Sequence, residues 1–135
     1  MRIAVISAPA QSKGVPEYVK ALAKGMESMG HQVDILDAWT EDGSRLPAYR
    51  YIAVSAEAQS WFSSKMPEAV TKILSMGNRL IGIKGAAFLK KNGPFTTKAL
   101  TNLMRAMEKE GMMVNWSEVL LNAPHAESLG KRIGA

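Results

Sequence analysis

The stretch RIAVISAPAQSKGVPEYVKALAKGM, Arg2 to Met26, decides how the chain is read. Ile3 to Ile6 is an apolar run of strand length, followed by a loop of small residues. From Pro16 onward Tyr18, Val19, Leu22, Ala23, Met26 and Met29 recur at helical spacing, and Gly30 ends the pattern. A strand that passes through a small-residue loop into a helix presents unpaired backbone N–H groups and the positive end of a dipole, which favour an anion. Ser7 and Ser12 offer hydroxyls, Lys13 a charge, and Gly14 a backbone free to close round an oxygen. Pro16 suits the first helical position but brings neither N–H nor hydroxyl. By itself the loop reads more readily as a plain strand-to-helix turn, with Ser12 or Lys13 exposed and Pro16 starting the helix.

Outward from this unit the same alternation continues. QVDIL is a second strand, YIAVSA a third, RLIGIKGAA (79–87) a fourth and MMVNW, running toward EVLL, a fifth. Helices are expected at 66–76, stopped by Gly77, and at 95–110, stopped by Gly111, with a short closing helix over AESLGKRI. EDGSRLP leaves little room for a helix between strands two and three. Strands separated by helices of this length imply a parallel sheet covered on both faces, a three-layer αβα sandwich in one domain spanning 1–135. Ligands of such sheets sit at the carboxyl ends of the strands. Three loops are expected to meet there: 7–15, 57–65 and 84–93.

The second loop, EAQSWFSSK, places Trp61 and Phe62 side by side in polar surroundings, free either to fold onto the core or to stack on a flat ring. The third offers Gly85, Ala86 and Ala87, small enough to leave backbone N–H groups accessible, flanked by Lys90 and Lys91.

The bulk properties narrow the classes. There is no cysteine, hence no disulfide, thiolate metal site or cysteine nucleophile, and the two histidines are far apart without clustered carboxylates. Ile3–Ile6 is too short for a secretory or membrane segment, so a cytoplasmic protein with no membrane partner is expected. The net charge of +5 fits an anionic ligand or acidic partner, but no helix carries a basic stripe and no nucleic-acid signature occurs.

The anion loop, aromatic loop and small-residue loop, at the ends of strands one, three and four, together resemble the flavodoxin-like family of flavodoxins and flavin or quinone reductases. GVPEYVKALAKGMESMGHQVDILD, YIAVSAEAQSWFSSKMPEAVTKIL, LIGIKGAA, ALTNLMRAMEKEGMMV and the terminal LGKRIGA carry the likeness along nearly the whole chain. The resemblance implies a five-stranded parallel sheet in the order 2-1-3-4-5. It also implies flavin mononucleotide (FMN), its phosphate held by Ser7, Ser12, Lys13, Gly14 and Val15. Trp61 and Phe62 would stack on the ring, and the Gly85, Ala86, Ala87 backbone would approach its pyrimidine side. An FMN-dependent oxidoreductase follows, with NAD(P)H as donor and a quinone, flavin or redox protein as acceptor, in a family whose small members are often homodimers.

One departure is local. Where the family has Gly-x-Thr, this chain has Gly14-Val15-Pro16, which removes a backbone and a side-chain donor. At about 1.5–3 kcal/mol for each hydrogen bond to a charged group, phosphate binding falls by roughly two to four decades. The alternative is therefore a binding or scaffold module that keeps the fold and holds no flavin.

Overall fold

Ile3 and Val5 point to one side of the first strand and Ala4 and Ile6 to the other, yet all four are fully buried. Only a strand covered on both faces satisfies that pattern. The computed structural model describes residues 1–78 and 80–133, and in it this strand, β1 (Arg2–Ala8), lies between two others. The remaining strands are β2 (Gln32–Asp37), β3 (Tyr51–Ala56), β4 (Lys84–Lys90) and β5 (Met113–Leu120). All pair in parallel, in the order β2-β1-β3-β4-β5. The helices are α1 (Glu17–Ser28), α2 (Glu68–Met76), α3 (Thr96–Lys109) and α4 (Ala123–Gly130). The expected αβα sandwich and strand order are thus observed. Between β2 and β3 the backbone makes only a short 3-10 turn, Leu46–Ala48, as the turn-rich sequence implies.

Each face of the sheet has its own apolar layer. Val70, Ile73 and Leu74 of α2 and Ala99, Leu103 and Met107 of α3 pack on Ile6, Ile52, Val54 and Leu89. On the opposite face, Tyr18, Val19, Leu22 and Met26 of α1 join Leu129 of α4 over Ile3, Val5, Ala53 and Phe88. The two helices of this second layer cross backbone to backbone. A Cβ on Gly25 would overlap the Glu127 carbonyl, and one on Gly130 would overlap that of Leu22. Only glycine permits so close an approach.

The fourth strand departs from the sequence reading. It begins at Lys84 rather than near residue 79, because Gly82, at φ +80°, turns the chain just before it. Arg79, the expected first residue of that strand, and Gly134 and Ala135 of the terminal segment lie outside the described residues. The strand then runs on through Phe88 and Leu89, which are fully buried. The loop beyond it is correspondingly short, 91–95.

Candidate functional site

The carboxyl edge of the sheet is built on strand register. Ala8 of β1 pairs with Ala56 of β3, so the residues that follow, Pro9–Ala10 on one strand and Glu57 on the other, leave the sheet side by side. The Glu57 carboxylate then turns across the first loop. Its Oε1 accepts from the Ala10 backbone N–H at 3.1 Å and from the Lys13 ammonium at 3.3 Å. Its Oε2 accepts from the Tyr18 hydroxyl at 2.6 Å. The Glu57 side chain keeps only 12% of its exposure, against 54% for Lys13. Burial pushes its carboxyl up, but the Tyr18 hydroxyl, the Ala10 N–H and Lys13 together outweigh that and hold it below the ordinary carboxylate range. Tyr18 is raised far above the usual phenol value, by burial first and then by the adjoining carboxylate. At neutral pH the site therefore contains a carboxylate anion and a neutral phenol donor.

The same loop is tied on its other side by the Trp39 indole N–H, which donates to the Pro9 carbonyl at 2.9 Å. Helix α1 starts after Pro16, with no side-chain cap. Ser12, Lys13 and Gly14 are exposed, Gly14 at φ +84°, and Val15 packs partly against the α1 layer. Ser7 belongs to β1, not to the loop. It is fully buried beside its register partner Ser55, and neither hydroxyl has a hydrogen-bond partner.

The aromatic loop closes on itself through Gln59 N–H to the Lys65 carbonyl and Ser63 N–H to that of Ser60. It is pinned to α3 by the Asn102 amide, which donates to the Ser64 carbonyl. Trp61 and Phe62 remain outside the core, 58% and 78% exposed. Trp61 borders a cleft of about 560 Å³ whose other lining residues are Lys91, Asn92, Gly93 and Pro94. That volume lies in the range of small-molecule sites. Across the cleft the two loops touch, for a Cβ on Gly93 would overlap the Trp61 carbonyl oxygen.

Gly85, Ala86 and Ala87 are not part of this edge. They lie inside β4, buried, with Gly85 paired to Ile52 near the amino end of β3. A Cβ on Gly85 would overlap the Ile52 carbonyl, so this glycine serves sheet packing. Phe88, just beyond them in β4, is fully buried and meets Trp116 edge-on. The residues that take over at the edge are Lys91–Pro94. Glu57 and Tyr18 escape sequence reading because they lie 39 positions apart. Only the register of β1 on β3 brings Glu57 beside the loop.

These positions define how FMN would fit. The ring has an exposed indole, a neighbouring phenyl and a cleft of suitable size. Its phosphate does not fit the first loop as folded, because the Ala10 N–H and the Lys13 ammonium already serve the Glu57 carboxylate and a second anion would be set against it. Among the described residues no group of three or more His, Asp or Glu side chains is arranged to hold a metal ion, and no helix is long and apolar enough to cross a membrane.

No family model and no curated protein matches the sequence. Solved structures match the fold. Flavodoxin 2 from Bacillus cereus superposes with a TM-score of 0.75 at 16% identity, over 98% of this chain and 94% of that one. A flavodoxin from the domain Archaea gives 0.69 at 20%, over 99% and 94%. Two-electron reduced flavodoxin from Megasphaera elsdenii gives 0.71 at 14%, over 95% and 96%. With its strand order, layers and full-length superposition, the chain has the flavodoxin-like fold.

Proposed function

We propose that this chain is a flavin-ring redox protein working at the carboxyl edge of its sheet. The observation that carries the reading is the Trp61 indole, left 58% exposed on a cleft bordered by Gly93 and Pro94. A large aromatic kept out of the core at that edge is suited to stacking on a flat heteroaromatic ring. The flavodoxin likeness of the fold supports a flavin as that ring. A bound flavin would supply the electron chemistry, with NAD(P)H as donor and a quinone or second flavin as acceptor. The chain's own residues orient the ring through Trp61 and Phe62 and surround the edge with Lys13, Lys65 and Lys91. With a net charge of +5, the chain suits a small or acidic acceptor better than a basic protein. Localisation in the cytoplasm and homodimer formation belong to the same proposal.

A second reading, a module that holds no flavin, is favoured by the Glu57 carboxylate lying across the loop where a phosphate would be held. Titration of riboflavin and FMN into the protein, followed by quenching of flavin fluorescence, separates the two. Saturable quenching is expected. No quenching by either compound up to high micromolar concentration leaves the flavin-free module.

A further inference from the structure

We infer that Glu57 is a built-in substitute for a ligand's phosphate, so that the site selects an unphosphorylated ring over its phosphate ester. The inference rests on the flavin-ring reading for the identity of the ring, but the occupation of the loop by Glu57 stands on geometry alone. Three donors from different parts of the fold converge on one carboxylate: the Ala10 N–H at 3.1 Å, the Lys13 ammonium at 3.3 Å and the Tyr18 hydroxyl at 2.6 Å. A backbone N–H, an ammonium and a hydroxyl form the set of donors that would otherwise surround a phosphate oxygen. Glu57 reaches them from a neighbouring strand, and its position is set by sheet register rather than by a flexible tail.

The arrangement has consequences for both kinds of ligand. A phosphate ester would bring a second anion to a loop already neutralised, and to bind Lys13 it would have to draw the ammonium from Glu57. That would leave a carboxylate with 12% exposure short of its cation. An unphosphorylated ring makes no such demand, since Trp61 and the Gly93–Pro94 side of the cleft lie on other loops. Lys90, whose ammonium lies 5.8 Å from the Tyr18 ring centre, is on β4 rather than in the loop. Pro16, which brings neither an N–H nor a hydroxyl to the start of α1, agrees with a loop that holds no phosphate.

The test compares wild type with Glu57→Gln, which keeps the shape and removes the charge, using Glu57→Ala as a second variant should the first fail to fold. Riboflavin and FMN are titrated by fluorescence quenching, and inorganic phosphate by the NMR shifts of the Ala10 and Lys13 amides. Wild type is expected to bind riboflavin at least tenfold more tightly than FMN and to show no saturable phosphate shifts. Either variant is expected to move the FMN-to-riboflavin ratio at least tenfold toward FMN and to gain saturable shifts at both amides. Wild-type preference for FMN, saturable phosphate shifts in wild type, or variants that change neither readout would overturn the inference. If no protein quenches either flavin, the ring reading fails, while the phosphate titration still decides what Glu57 does.

Discussion

Replacing Tyr18 by Phe isolates the strongest bond of the carboxylate cluster. The ring is 8% exposed within the α1 layer, so phenylalanine keeps its packing and loses only the hydroxyl that donates to Glu57 at 2.6 Å. A hydrogen bond to a charged acceptor contributes about 1.5–3 kcal/mol. For 135 residues the unfolding entropy is about 0.28 kcal/mol/K, so the midpoint of thermal unfolding should fall by roughly 5–11 °C at pH 7. The sign of the pH dependence follows from the lowered Glu57 carboxyl. Its contribution is complete above the unfolded carboxylate value of about 4.3 and is lost as pH falls through the lower folded value. With Tyr18 gone the folded value rises toward the unfolded one, so the loss is smaller and is complete at a higher pH. Melts followed by circular dichroism at pH 7 and at successively lower pH should therefore show the largest deficit at neutral pH, shrinking to about half or less as Glu57 gains its proton and only a neutral pair remains. A shift under about 2 °C at pH 7, or a deficit that does not shrink as Glu57 is protonated, would refute the assignment of Glu57 as a held carboxylate.

Other expectations can be checked in parallel. Ser7→Ala and Ser55→Ala each remove a buried hydroxyl without a partner and should raise stability by about 1 kcal/mol, read as a higher urea midpoint at unchanged slope. Gly25→Ala forces a methyl into the Glu127 carbonyl and should cost about 1–3 kcal/mol, seen as a lower midpoint in the same titration. Trp61→Ala should leave the melting curve within about 0.5 kcal/mol of wild type, because the side chain is exposed, yet weaken riboflavin by tenfold or more in the quenching assay.

Periodicity in the sequence located most elements because helices and strands differ in what they require of it. The 14-residue α3 carries its apolar stripe without ambiguity, and α1 differs from its expected start by one residue. β4 was harder, since the region around it is apolar over two overlapping windows and a strand buried on both faces shows no alternation to choose between them. Gly82 decides the matter through a backbone angle that composition does not reveal. That single shift turned Gly85–Ala87 from expected ligand contacts into core. Trp61 and Phe62 were legible as candidates at the edge because two aromatics in a polar loop match no core period, and both are exposed. Glu57 was not, for a single carboxylate in a polar loop looks solvated until β1 is laid against β3. Ser7 was misplaced for the opposite reason: its hydroxyl reads as a loop donor, but the strand carries it one residue too far into the sheet.

The contact of Gly93 with the Trp61 carbonyl ties two connections that leave different strands. Any side chain at position 93, where φ is +73°, would be driven into that carbonyl, so the width of the crevice beside the indole is set by a residue with no side chain. Substitution there would press the two connections apart and reshape the face offered to a planar guest without touching either aromatic residue.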